Sequence, residues 1–234
     1  MRGPYSEYAA PPIYVYPDTP KPGVHFSRTE IFQLTIAILA LSASFTVLYI
    51  RYQIPTFQAD PVRFLALFFP AALLAVGTGV GLHEIMHKVV AQRYGLWAEF
   101  RYNPMGLAFA FILAAAVGFL YGAPGATWIS GNVTPEQNGR ISAAGPLTNL
   151  SIASILLLVS FVLFSRITTG FGGFLLSLYL VQVASVNAFL AAFNLIPIMP
   201  LDGAKVWAWN KGIYAPMVLV ALVLVGLTFF GVLF

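Results

Sequence analysis

Two histidines flank a glutamate in the string His83-Glu84-Ile85-Met86-His87, inside an apolar segment of membrane-crossing length. Residues four apart share one face of a helix, so both imidazoles can reach a single metal ion. Glu84 then stands beside that ion as a base for water. An ionisable group in hydrocarbon costs about 3 kcal/mol on insertion scales, so such groups are paired or functional. A second string, Asn194-Leu195-Ile196-Pro197-Ile198-Met199-Pro200-Leu201-Asp202-Gly203, closes another apolar segment. Pro197 and Pro200 cannot both sit in a regular helix, so the chain must unwind there. Irregular backbone at membrane depth is tolerated where protein buries it or where it lines a cavity, and Asp202 is expected to face such a cavity. A catalytic zinc takes three protein ligands and keeps one open position. His83, His87 and Asp202 supply three, and Glu84 remains free as catalytic base. Asp202 could equally start the helix that follows, and capping and ligation are compatible.

The composition sets the frame for these residues. Of 234 residues, 59% are hydrophobic and only 9% charged, against the ~25% charged share of soluble domains. With a mean hydropathy of +0.83, the chain reads as an integral, multi-pass membrane protein. A formal charge of +4 rests on twelve basic residues, with no basic run interleaved with aromatics, so nucleic acid is excluded as a partner and the lipid bilayer is the expected one. Cysteine is absent, so any metal is held by nitrogen and oxygen. No apolar run begins before Ile31, so no signal peptide pattern is expected.

The elements that must position the site follow from periodicity. Residues 1–26 are rich in Pro and Tyr and are expected to form a disordered tail; His25 reads as a solvent-exposed histidine. Ser27 and Glu30 read as a capping box opening the first helix. Residues 27–234 form one membrane-embedded domain with spans at about 31–50, 62–92, 141–164, 173–197 and 213–234. The second carries the histidine motif near its C-terminal end, with Lys88 and Arg93 expected at the interface beyond it and a kink expected at Pro70. Phe64 to His83 climbs ~28 Å, most of a ~30 Å hydrocarbon core. Trp97 to Tyr102 alternates as a short strand, and 126–133 reads as a hairpin or strand. Either could clamp an extended peptide by strand addition, or simply form sheet. The fold class is an all-α polytopic membrane protein with five transmembrane helices, or six if 105–121 crosses, and a small re-entrant or β segment between the second span and the third.

The two strings, with Ala144-Gly145-Pro146-Leu147-Thr148-Asn149 between them, resemble the three motifs of the site-2 protease family of intramembrane zinc metalloproteases. They occur in that family's order and cover roughly residues 64–211. The resemblance implies zinc, one per chain, held by His83, His87 and Asp202, with Glu84 as catalytic base and Asn194 helping to hold the reacting carbonyl. It implies hydrolysis of peptide bonds within or near transmembrane segments of membrane-anchored protein substrates, in a prokaryotic cell membrane. Asn149 could contact substrate or make an interhelical hydrogen bond. Many members carry a small residue where this chain has Met86, and no insertion here is long enough for a PDZ or CBS domain.

Topology tests the site. Both ligand strings end their spans, so a shared metal requires parallel helices with an odd number of spans between them. That makes 105–121 a segment that dips and returns, or one that packs as strands against the site. Loop charges agree: with the N-terminus and the active-site opening cytoplasmic, Arg2, Lys21, Arg28, Lys88, Arg93, Arg101, Arg140, Lys205 and Lys211 lie inside against Arg51, Arg63 and Arg166 outside. A sixth span reduces the bias to seven against five. Two rivals stand beside the protease. A metal-ion transporter would string acids along a path and often shows inverted repeats, whereas here the acids gather in one place. A catalytically inactive relative that binds membrane proteins would be expected to have lost a ligand or the base, and none is lost.

Overall fold

A computed structural model describes residues 23–120, 124–164 and 170–229. Among the described residues, five helices are long and apolar enough to cross a membrane: Arg28–Tyr52, Pro61–Arg93, Pro135–Leu163, Gly170–Asn194 and Lys211–Phe229. Most of the expected tail, and the last five residues of the last expected span, lie outside the described residues.

The first span is α1 (Arg28–Tyr52), and a short α2 (Ile54–Ala59) leads to the second. That span comprises α3 (Pro61–Val76), a π-helical stretch Gly77–Leu82, and α4 (His83–Arg93). Then come β1 (Trp97–Tyr102), α5 (Pro104–Ala116), β2 (Gly125–Ser130), α6 (Pro135–Phe164), α7 (Gly170–Asn194), α8 (Asp202–Trp209) and α9 (Lys211–Phe229). The chain stays helical through Pro70, and the irregularity lies beyond it, where Gly77, Gly79 and Gly81 alternate. At Gly79 a Cβ would fall 2.8 Å from Leu190 of α7, so glycine lets the two helices approach.

Contacts fix the helix directions. Tyr179 of α7 donates to the Leu67 carbonyl, and Asn187 donates to Thr78, so α3 and α7 run parallel. Asn149 donates to the Gly79 carbonyl and His87 meets the Ile141 carbonyl, so α6 runs against them. One span therefore separates the two parallel ones, as a shared metal site demands.

The segment expected at 105–121, described through residue 120, is helical over Pro104–Ala116 and leads back to its starting point. β1 and β2 pair antiparallel, with Tyr102 opposite Gly125 and the Asn103 N–H donating to the Pro124 carbonyl at 2.8 Å. The segment thus starts and ends at one point. Its 13-residue helix rises only ~20 Å. It runs along α1: Tyr102 meets Gln33 near one end, and Arg51 and Tyr52 donate to the Ala115 and Gly118 carbonyls at the other.

Two sequence expectations change. Ser27 Oγ accepts from the Glu30 N–H, which caps α1, but the Glu30 carboxylate does not reach back. It is ion-paired with Lys88 and accepts from the Phe100 N–H at 3.0 Å. Lys88, expected at the membrane interface, is buried inside the protein at 1% exposure, because a buried carboxylate is there to receive it.

Candidate metal centre

The π stretch hands the chain to α4, and one helical turn sets His83 and His87 on the same face. Their Nε2 atoms lie 3.0 Å apart. Asp202, in the first turn of α8, brings Oδ2 to 3.3 Å from His83 Nε2 and 3.1 Å from His87 Nε2. All three residues are buried. Asp202 makes no side-chain cap bond, the capping position being Leu201, so the helix-start role does not occupy its carboxylate. Burial disfavours its charge, yet the His87 and His83 rings, when protonated, hold the carboxyl well below the ordinary carboxylate range.

These atoms fit a metal. Tetrahedral zinc with ligands at ~2.0–2.1 Å separates any two of them by about 3.3–3.4 Å. The observed edges are 3.0, 3.1 and 3.3 Å. A carbonyl can only accept, so His87 Nδ1, 2.7 Å from the Ile141 oxygen, carries a proton. In the neutral ring its Nε2 then offers a lone pair to the centre, the usual arrangement behind a ligating histidine. His83 Nδ1 is buried without a hydrogen-bond partner, which leaves that ring's Nε2 as its only engaged nitrogen. Space is reserved as well: a Cβ on Gly145 of α6 would fall 2.5 Å from His87 Nε2 and 2.6 Å from His83 Nε2.

Glu84 lies outside this trio. Its Oε2 accepts from the Thr127 N–H and the Thr127 hydroxyl of β2, each at 2.8 Å. One Glu84 oxygen is thus anchored to β2. Unwound residues 195–201 cross beneath α8, where Gly203 packs so tightly on the Leu195 carbonyl that a Cβ would clash. Tyr214 of α9 donates to that same carbonyl at 2.8 Å. A cavity of about 600 Å³ opens here, lined by His83, Glu84, His87, Thr127, Asn194 and Asp202 among others. Lys205 also lines it, with Nζ 3.7 Å from Asp202 Oδ1.

The remaining expectations divide. Asn194 lines the cavity, and its amide donates to the Leu190 carbonyl of its own helix at 3.0 Å. Asn149 is not among the residues lining the cavity; it is fully buried and donates to the Gly79 carbonyl, the interhelical bond of its two readings. Sequence reasoning missed Thr127 and Lys205, and named Gly145 only as part of the third motif, without its role. Lys205, one turn after Asp202, was findable by helical spacing. Thr127 was not, since 43 residues separate it from Glu84.

Comparison with known proteins agrees with this geometry. Residues 71–175 match the model of Peptidase family M50. The chain is 41% identical over 202 residues to "Putative zinc metalloprotease MJ0611" of Methanocaldococcus jannaschii, covering 86% of this chain and 93% of that one. It is 28% identical over 141 residues to "Zinc metalloprotease MJ0392" of the same organism. It is 30% identical over 154 residues to "Putative zinc metalloprotease Rip3" of Mycobacterium tuberculosis. The latter two matches take in 60% and 62% of this chain but only 34% and 31% of the relatives' lengths. No solved structure matches. A near full-length relative at this identity, and a family match that includes both histidines, make the chain a member of peptidase family M50, the site-2 protease family, and a zinc-dependent metalloendopeptidase.

Proposed function

We propose that this protein hydrolyses peptide bonds within or near the membrane segments of membrane-anchored proteins, with His83, His87 and Asp202 holding one zinc ion and Glu84 acting as base and then acid. The observation that carries the reading is the cavity: it joins the histidine–aspartate trio and Glu84 to the outer edge of β2, at the ends of membrane-length helices.

Zinc, when bound, supplies the Lewis acidity that brings water deprotonation near neutral pH. The chain's residues do the rest. The Glu84 oxygen not held by Thr127 takes the proton from water as a carbon–oxygen bond forms at the peptide carbonyl. The same carboxyl returns a proton to the amine as the carbon–nitrogen bond breaks. Asn194 and Lys205, both at the cavity wall, are the polar groups suited to the developing oxyanion. Thr127 keeps Glu84 aimed throughout.

A substrate segment must be extended, since a helical peptide bond is shielded by its own turn. Of the two strands, β2 is suited to receive it. The outer edge of β1 is occupied: Phe100 and Tyr102 donate to Glu30 and Gln33, and Ala98 accepts from Gln92. Gly125, Thr127 and Ile129 carry the outer edge of β2 and line the cavity, and this edge is engaged at the Thr127 N–H, which donates to Glu84. Strand addition there would lay the segment across Glu84.

The cytoplasmic orientation rests on charge. With Lys88 discounted as buried, eight basic residues remain inside against three outside. Cysteines introduced as Pro124→Cys and Gly212→Cys would be labelled from the cytoplasm only, and labelling of either from outside reverses the orientation. For the activity, the purified protein in liposomes with a membrane-anchored substrate is expected to give fragments cut at the membrane segment. Glu84→Gln should abolish them. Cutting confined to soluble peptides, or undiminished in that variant, defeats the reading.

A further inference from the structure

Glu30 and Lys88 form a buried ion pair that catalysis does not use. Each is 1% exposed, and the Phe26 ring lies 4.2 Å from Lys88 Nζ as a cover. A pair buried this deeply is weak evidence for stability, because desolvation offsets the attraction. Its connections suggest another role. The second Glu30 oxygen accepts from the Phe100 N–H of β1 at 3.0 Å. Phe100 stands directly opposite Thr127 in the sheet. Thr127 in turn donates its N–H to Glu84.

One rung of the sheet is thus held at both ends by carboxylates. Glu84 grips it from the β2 side and Glu30 from the β1 side. Both grips lead back to α4: Glu84 belongs to it, and Lys88, one turn further on the same face, holds Glu30. The loop closes from α4 through Thr127, Phe100, Glu30 and Lys88 to α4 again. A displacement of one residue along a strand is ~3.3 Å and turns every side chain to the other face. Fixing this rung against α4 therefore fixes where the β2 edge lies relative to Glu84 and the two histidines.

We propose that Glu30 and Lys88 are a positioning pair that sets the register between the sheet and the metal-binding helix, and thereby selects which peptide bond of an edge-bound segment is cut. The inference rests on the strand-addition reading above. It assigns these residues no contact with substrate.

Two double variants isolate the grip from the charge. E30Q/K88M and E30L/K88M both remove the ion pair and leave no buried charge unpaired. Only the first keeps an acceptor for the Phe100 N–H. Each is assayed in liposomes with one membrane-anchored substrate, with fragment masses giving the cut positions and elemental analysis giving zinc per chain. E30Q/K88M is expected to cut at the native bond. E30L/K88M is expected to keep its zinc while the share of products cut one or two bonds away rises at least tenfold. A swapped pair, E30K/K88E, preserves attraction for folding but puts a cation where Phe100 needs an acceptor, and should also misplace the cut. Native cut positions in both E30L/K88M and the swap overturn the proposal. So does loss of zinc in them, which would make the pair part of the metal helix's own framework. Absence of cleavage by the native protein is a failure of the protease reading itself, and is seen before any variant is made.

Discussion

Gly145→Ala separates the metal centre from the fold. The added methyl carbon would lie 2.5 Å from His87 Nε2 and 2.6 Å from His83 Nε2, where ordinary contact begins at 3.4 Å. The two rings, or α6 itself, must give way by roughly 0.8–0.9 Å. Metal sites tolerate ligand distances within about 0.2 Å, so the shift is about four times what coordination allows. Misplacement of this size typically costs about 100-fold in rate. A comparable loss of zinc affinity is expected, which is about 2.7 kcal/mol. The helix itself gains: alanine is better than glycine in a helix interior by ~1 kcal/mol, and Gly145 lies well inside α6. The ion-free site must absorb the same crowding, at about 1–3 kcal/mol against that helix gain, so the zinc-free variant should stay folded within about 2 kcal/mol of native while binding zinc at least about 100-fold more weakly. Competition with a chromophoric chelator measures the affinity, and circular dichroism during heating measures the fold. Zinc affinity equal to native in Gly145→Ala refutes the placement of the ion between these rings.

Three other outcomes follow from the geometry. Glu84→Gln should retain zinc, since Glu84 is not among the three converging residues, and lose activity by at least 10²–10⁴-fold, read as zinc content beside single-turnover cleavage. Thr127→Val removes the hydroxyl that meets Glu84 but keeps the backbone N–H, so kcat should fall about tenfold, the weight of one hydrogen bond, with zinc unchanged. Asn149→Leu breaks the buried bond to Gly79, so it should lower thermal stability by ~1 kcal/mol and leave KM unchanged; a selective rise in KM would restore Asn149 to substrate binding.

The residues legible in the sequence were those whose cost in a membrane is high and whose spacing is local. His83, Glu84 and His87 share a helical turn, and the prolines before Asp202 announce an unwound stretch. The return of 105–121 was legible indirectly, because two ligands at one depth permit only one span between them. Glu30 and Lys88 misled because each fits a local rule: a glutamate three residues after a serine reads as a capping box, and a lysine past an apolar run reads as interfacial. Their true partners lie 58 and 70 residues away along the chain. The Ile141 carbonyl that orients His87 is backbone, to which no side-chain type points. Gly145 carries no sign of its purpose until the two imidazoles are seen packed against it.

The central claim is that two strings far apart in sequence hold one ion. Zinc per chain, determined by elemental analysis on detergent-purified native protein and on Asp202→Ala, tests it most directly. About one zinc in the native protein, lost or readily stripped by chelator in the variant, is the expected result. Zinc held equally well by both would leave Asp202 outside the centre and contradict the account.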